Sequence, residues 1–164
     1  MAVGKFIAVV AGIGAVGAGV AGVAGQDHTT RNDEGEITEG GEIGAFRIRI
    51  GDCIVGTLDG EFESADAVPC TSPHESEVYA AFMMSYPADA AYPGEAAVVD
   101  AASDGCFDRF EPFVGQPYES SIFDFGAMYP SEGSWDGLDD REVLCLISNY
   151  DGTLKTGTAH NAGR

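Results

Sequence analysis

The sequence predicts an α+β protein with one N-terminal transmembrane helix, followed by a small disulfide-bonded domain with an antiparallel sheet and one main helix. Three observations predict this class. Residues 6–25 carry no charge, short alternating apolar segments follow them, and residues 94–110 place apolar side chains at helical spacing. Removing the apolar run from the 164 residues leaves about 139, which is room for one compact domain.

The first segment, residues 1–25, has the length and composition of a membrane-spanning helix. Twenty uncharged residues extend about 30 Å as a helix, enough to cross a bilayer. Its bulky residues recur every three or four positions, separated by glycine and alanine. Small residues four apart, namely Gly14, Ala18 and Gly22, are typical of helices that pack closely in lipid. We therefore predict an anchor that packs on integral membrane protein partners.

The flanking charges predict how this anchor is oriented. Lys5 precedes the apolar run and acidic residues follow it, so the amino terminus should be cytoplasmic and the rest extracytoplasmic. The predicted location is the cell membrane, with a single pass. A cleaved signal peptide is the alternative, because residues 22–24 resemble a cleavage site. Cleavage after Ala24 or Gly25 would release a secreted binding module.

The charge balance restricts the partners. The formal net charge is −19, and all 27 acidic residues follow the apolar run. Such a surface repels nucleic acid, so no nucleic-acid partner is expected. It serves either as a solvated surface or as an attractor for a basic extracytoplasmic protein.

The exported part begins with a predicted linker. Residues 26–44 contain six acids and few bulky apolar residues, which is typical of a flexible segment. The predicted domain, residues 45–158, starts with a half-buried strand, since Phe46, Ile48 and Ile50 alternate with two arginines. Residues 77–84 are expected to form a second strand.

The second half of the domain is predicted to contain a helix and a hairpin. Apolar residues fall on one helical face between Gly94 and Phe110, with Gly105 a weak point inside the helix. A short helix should follow. Residues 142–148 alternate, and "NYDG" should turn them into a hairpin with residues 153–159. The last residues, 159–164, are predicted to be a flexible tail.

No motif predicts catalysis, cofactor binding or a metal site. Cys70 and His74 are four residues apart and allow a zinc site, although a hydrogen-bonding His74 that orients its loop is the preferred interpretation. The sole tryptophan, Trp135, is more often a core residue than a binding contact. One cluster of acidic residues has a spacing that could hold calcium in a loop, but an acidic turn is the preferred interpretation. The cluster consists of Asp59, Glu61, Glu63 and Asp66.

The cysteines point to disulfides. Four cysteines in an exported domain indicate two bonds, and counting alone leaves three pairings open.

Four segments in order resemble the actinobacterial septum formation domain. They are "IGDCI" (50–54), "VPCTSPHESEVYAAF" (68–82), "YPGEAAVVDAASDGCFDRFEPFVG" (92–115) and "YPSEGSWDGLDDREVLCLI" (129–147). The resemblance implies an exported or membrane-anchored envelope domain. By analogy it also pairs Cys53 with Cys70 and Cys106 with Cys145. One departure is an extra residue that lengthens the turn before Arg141.

Together these features predict a non-catalytic, single-pass accessory subunit of an actinobacterial cell-envelope membrane complex. Division or wall assembly and a respiratory-chain assembly are both compatible with the sequence. The alternatives are the secreted binding module and, with less support, a small metal-binding protein or hydrolase.

Overall fold

A computed structural model of the chain describes residues 7–11, 27–56, 58, 60–87 and 89–164. Two α-helices, α1 (Glu95–Val114) and α2 (Glu132–Leu138), lie in this part of the chain. Short 3₁₀ turns occur at Ala45–Arg47 and Tyr118–Ser120. The strands are β1 (Ile7–Ala11), β2 (Thr30–Arg31), β3 (Ile37–Glu39), β4 (Gly41–Gly44), β5 (Cys53–Val55), β6 (Gly60–Phe62), β7 (Ser64–Val68), β8 (Ser76–Met83), β9 (Phe123–Pro130) and β10 (Glu142–Asn149).

The main sheet has the strand order β4-β7-β5-β8-β10-β9-β1-β6, and β2 and β3 form a separate hairpin. The long strand β10 lies at its centre and pairs antiparallel with both β8 and β9. Strand β1 pairs parallel with β9 and with β6. The sheet is therefore mixed, and the expectation of an antiparallel sheet is wrong at this edge.

The sheet curls. Strands β6 and β7 stand at opposite parts of the strand order, yet only Glu63 separates them along the chain. The far ends of the sheet must therefore approach each other. The concave face encloses one apolar cluster, which includes Ile43, Ile54, Val78 and Leu146.

Helix α1 covers the other face and forms a second apolar cluster there. Residues at every fourth position point into it, because a 3.6-residue period returns them to one side. These are Val98, Ala102, Cys106, Phe110 and Val114, each fully buried. The helix ends at Gly115, whose positive φ of 80° is the left-handed conformation that glycine adopts readily.

The predicted transmembrane helix is contradicted. Ile7–Ala11 forms a strand, and within the ranges that the structure describes neither helix combines the length and apolarity needed to cross a bilayer. The predicted single-pass location is therefore wrong as well. Three of the five residues in β1 are β-branched, and such residues favour a strand where neighbouring strands are available for pairing. The predicted packing residues Gly14, Ala18 and Gly22 lie outside the described residues.

The predicted flexible linker contains strands, and the predicted flexible tail is held against the domain, which corrects both expectations. Residues 27–44 contain β2, β3 and β4, and they bury Ile37 and Ile43 in the concave cluster. At the other end of the chain, the amide of Asn161 donates to the carbonyl of Phe113, and Ala159 is buried. In both segments a few apolar side chains and well-placed hydrogen bonds suffice, although composition alone suggests flexibility.

Four further expectations have different outcomes. The strand at 77–84 and the main helix are confirmed as β8 and α1. The strand predicted at residues 46–50 is wrong, because a 3₁₀ turn begins there and Ile50 is exposed. The predicted hairpin is also wrong, since β10 pairs with β8 and β9, whereas the later segment makes only a bridge from Lys155 to His74.

Candidate functional site

Two polar constellations distinguish this domain. The first, which we call the buried cluster, consists of His74, Glu77 and Lys155. The second is a cleft at the end of β10, which we call the β10 cleft. In the buried cluster the polar atoms hydrogen-bond within the protein, whereas the β10 cleft keeps an acceptor available for a ligand.

The buried cluster joins β8 to the C-terminal segment. The Lys155 ammonium donates to His74 Nε2 at 3.0 Å and to Glu77 Oε2 at 2.6 Å. Glu77 also accepts hydrogen bonds from the Thr158 hydroxyl and from the amide of Ala159. All three members are buried, with His74 completely inaccessible. The carboxylate therefore holds the end of the chain against the sheet.

The protonation states follow from the geometry. His74 Nδ1 lies 2.8 Å from the carbonyl of Ser72, so the ring is assigned its proton there and accepts from Lys155 through Nε2. Burial lowers the pKa of His74, and the nearby Lys155 ammonium adds to this effect. Burial likewise lowers the pKa of Lys155, and Glu77 partly offsets it. His74 is thus a neutral hydrogen-bonding residue that orients its loop, which matches the preferred interpretation.

The disulfides occupy all four cysteines. Cys53 is joined to Cys70 and Cys106 to Cys145, with Cα atoms 5.3 Å and 5.4 Å apart. This is the pairing that the resemblance implies. No thiolate is left to join His74 in a zinc site, which overturns that alternative. Among the described residues, no group of three or more histidine, cysteine or acidic side chains is placed to hold a metal ion.

Trp135 lies in the core, 1% exposed, and its indole Nε1 donates to the carbonyl of Ala90 at 2.7 Å. The guanidinium of Arg141 stacks 3.6 Å from the ring centre. Tyr86 and Tyr92 contact the ring edge-on. This confirms the expected core role.

The β10 cleft lies on the face of the sheet opposite α1 and has a volume of about 240 Å³. Its polar floor consists of Ser76, Ser148 and Asp124, which stand opposite one another on β8, β10 and β9. Directly opposed residues on neighbouring strands lie about 5 Å apart, so the three form one row. The next row inward is apolar, with Leu146 opposite Gly126.

A tight turn after β10 forms the rim of the cleft. Asp151 accepts hydrogen bonds from the amide and the hydroxyl of Thr153, at 3.0 Å and 2.6 Å. Asn149 donates to the carbonyl of Thr153, and Gly152 takes a positive φ of 74°. These bonds hold the rim in one conformation and present the exposed ring of Tyr150 beside the opening.

Asp124 is the most buried charged residue of the cleft, with only 5% of the residue exposed. The Tyr118 hydroxyl donates to Oδ1 at 2.8 Å, and the amide of Phe125 donates to the same oxygen at 2.9 Å. Burial and this hydrogen bond to Asp124 raise the pKa of Tyr118, which keeps its hydroxyl protonated as a donor. Within the described residues, Asp124 forms no ion pair.

The sequence did not reveal this cleft. Asp124 lies on β9, which the sequence does not predict because Gly126 and Pro130 interrupt the apolar pattern of this strand. The alternation in "FDFGAMYP" was the available signal. The expected acidic cluster is not gathered into a site either: Glu61 lies on β6 and Asp66 on β7, whereas Asp59 lies outside the described residues.

Comparisons with known proteins find similar sequences in mycobacteria. The chain is similar to the "Putative lipoprotein LppN" of Mycobacterium tuberculosis and to the protein of the same name in Mycobacterium bovis. Each is 28% identical over 118 residues, which cover 70% of this chain and 63% of the relative. The chain thus spans less than two thirds of these relatives' length.

No solved structure matches the chain. The family model described as septum formation matches residues 50–162, which contain both disulfides, the buried cluster and the β10 cleft. The chain therefore belongs to the septum formation family.

Proposed function

We propose that this chain is an exported, envelope-associated accessory protein that catalyses no reaction and binds a basic partner through its acidic surface. The family and the two mycobacterial relatives, whose name describes a lipoprotein, support the link to the cell envelope. The comparisons give no support to the respiratory-chain assembly that the sequence left open.

The disulfides support export. Both bonds lie in the matched domain, and structural disulfides persist in oxidising compartments outside the cytoplasm.

The observation that carries the proposal is the acidic charge of the outer surface, which the buried cations do not offset. Arg31 pairs with Asp52, Lys155 with Glu77, and Arg141 stacks on Trp135. Their side chains are at most 12% exposed. Three acids, Asp52, Glu77 and Asp124, are buried as well, so burial leaves the charge balance of −19 unchanged and the outer surface is strongly acidic. A surface of one sign attracts a partner of the opposite sign.

The buried cluster supports a non-catalytic role. A general acid or base must reach the proton of a bound substrate. His74 is completely buried, and its two ring nitrogens already bond to Ser72 and Lys155. The strongest candidate for acid–base chemistry is thus committed to holding the fold.

The experiment is zero-length cross-linking with a water-soluble carbodiimide on envelopes that contain the tagged, full-length protein. The reagent couples carboxylates to amines. This chain supplies mainly carboxylates, since it has only two lysines, of which Lys155 is buried. We expect covalent products in which Asp or Glu of this chain is joined to lysines of a basic envelope protein.

The control adds about 1 M salt before the reagent, which shortens the screening length from about 10 Å to about 3 Å. The coupled partner should then disappear. Products that persist unchanged in high salt, or partners that are acidic, would contradict the proposal.

A further inference from the structure

The polar row in the β10 cleft presents three oxygen-bearing side chains to one small volume. Ser148 stands between Ser76 and Asp124 by strand register, and all three line the cleft. Hydroxyl and carboxylate oxygens accept hydrogen bonds. No lysine or arginine lines the cleft among the described residues. The row is therefore suited to a donor that comes from outside the chain.

One carboxylate oxygen of Asp124 accepts no hydrogen bond from the described residues. Both hydrogen bonds that reach its carboxylate from the described residues end on Oδ1. Oδ2 thus has no partner among the described residues, and it stays accessible to solvent in the cleft that Asp124 lines. A cationic donor that enters the cleft can therefore form a charge-assisted hydrogen bond with this oxygen.

The inner part of the cleft is apolar. Leu146 is 6% exposed, and Gly126 opposite it contributes no side chain, which leaves a hollow. Leu58 adds a second aliphatic wall. A ligand that combines a methylene stem with a cationic head matches both parts of the cleft.

We propose that the β10 cleft binds a lysine side chain of the basic partner, with its ammonium on the row of Ser76, Ser148 and Asp124. The methylene stem lies along Leu58 and Leu146. The volume of about 240 Å³ is below the roughly 300 Å³ at which pockets for drug-sized molecules begin, so it suits a side chain better than a cofactor. The exposed ring of Tyr150 offers a cation–π contact at the rim.

The chemistry favours lysine over arginine. A guanidinium binds best to two parallel acceptors on one carboxylate. Asp124 offers only Oδ2, because Tyr118 and Phe125 occupy Oδ1. An ammonium needs only one carboxylate oxygen, and its other two donors point in different directions, where the neighbouring Ser148 hydroxyl and water can accept them.

The test is a titration of the isotopically labelled, full-length, oxidised protein, followed by amide chemical shifts. The probe is Nα-acetyl-lysine methylamide. Its norleucine analogue keeps the stem and lacks the ammonium, and its arginine analogue changes the head. We expect saturable shifts at Gly126, Ser148 and Tyr150 with the lysine probe, weaker shifts with arginine, and none with norleucine.

Variants assign the binding to the row. Asp124→Asn keeps an oxygen for Tyr118 and removes the charge, so the lysine probe should bind about tenfold more weakly or worse. Asp104→Asn is the matched control, because Asp104 is an exposed residue of α1, and it should leave the affinity unchanged. Ser148→Ala removes one acceptor without affecting the Tyr118 bond and should weaken binding about threefold.

Shifts that norleucine reproduces, that do not saturate, or that persist in Asp124→Asn and Ser148→Ala would overturn the inference. The inference rests on the proposed function, because the lysine is taken to belong to the basic partner. The lysine site and the basic partner can nevertheless be refuted separately. Salt-sensitive carbodiimide products without lysine binding in the cleft would refute only the cleft. Lysine binding without such products would refute only the basic partner.

Discussion

At the scale of single residues, the most informative side chains are those whose charge is buried. His74, Glu77 and Lys155 satisfy one another, whereas Asp124 keeps one oxygen free within the described residues. The two sites therefore have opposite consequences. The first is closed and stabilises the fold, and the second is open and can bind a ligand.

His74 gives a prediction about pH. Because burial lowers its pKa in the folded state, the unfolded chain takes up a proton first as the pH falls below the ordinary value of about 6.5. The unfolded state then binds more protons, so the free energy of unfolding should decrease as the pH falls from about 7 to 5.5. Urea unfolding across this range, followed by the fluorescence of the single Trp135, measures the slope.

His74→Gln should flatten that slope, while His160→Gln, at an exposed position, should leave it in place. An unchanged slope in His74→Gln would show that another group governs the pH dependence.

At the scale of elements, α1 depends on a glycine inside it. A methyl group at Gly105 would lie 2.2 Å from Cζ of Phe82 on β8. The Phe82 ring is also held by Arg109, whose guanidinium lies 4.4 Å from the ring centre. Gly105 is therefore required for the close approach of α1 to the sheet, which replaces the expectation that it is a weak point.

Gly105→Ala should destabilise the protein by about 1–3 kcal/mol through overpacking, although alanine is the better helix former. Gly137→Ala is the control, since no atom lies within 4 Å of the added methyl group on α2. It should stabilise by up to about 1 kcal/mol. Denaturant unfolding of the two variants measures both changes, and a stabilised Gly105→Ala would refute the close contact.

Strong local patterns account for the elements that the sequence predicts well. Helix α1 follows from a sustained helical period, and β8 from a continuous apolar run. Local sequence patterns do not predict the segments whose structure is determined by tertiary contacts. Residues 27–44 are ordered by the pairing of β4 with β7 and by the ion pair of Arg31 with Asp52, which no local window contains. The cleft was unpredictable for the same reason, because its polar row exists only through strand register.

At the scale of the whole molecule, two disulfides connect distant parts of the matched domain. The bond from Cys106 to Cys145 joins α1 to β10 over 39 residues, and the bond from Cys53 to Cys70 closes 17. Longer loops lose more entropy when they are closed in the unfolded chain. The bond that fixes the helix to the sheet should therefore contribute more to stability.

Replacing Cys106 and Cys145 together by alanine should lower the free energy of unfolding by about 4 kcal/mol, against about 3 kcal/mol for Cys53 and Cys70. Paired replacement avoids leaving a reactive thiol. Urea unfolding of the two double variants gives the comparison, and a larger loss for the shorter loop would contradict the argument from loop length.

The surface is the property on which the proposed function depends. Three basic side chains are buried and so are three acids, Asp52, Glu77 and Asp124, so the exterior keeps the strongly acidic charge balance of the chain. The most direct test of this account is the salt dependence of the affinity between the oxidised, full-length protein and its cross-linked partner. We predict that the dissociation constant rises steeply between about 0.1 M and 1 M salt. A dissociation constant that stays the same across this range would contradict it.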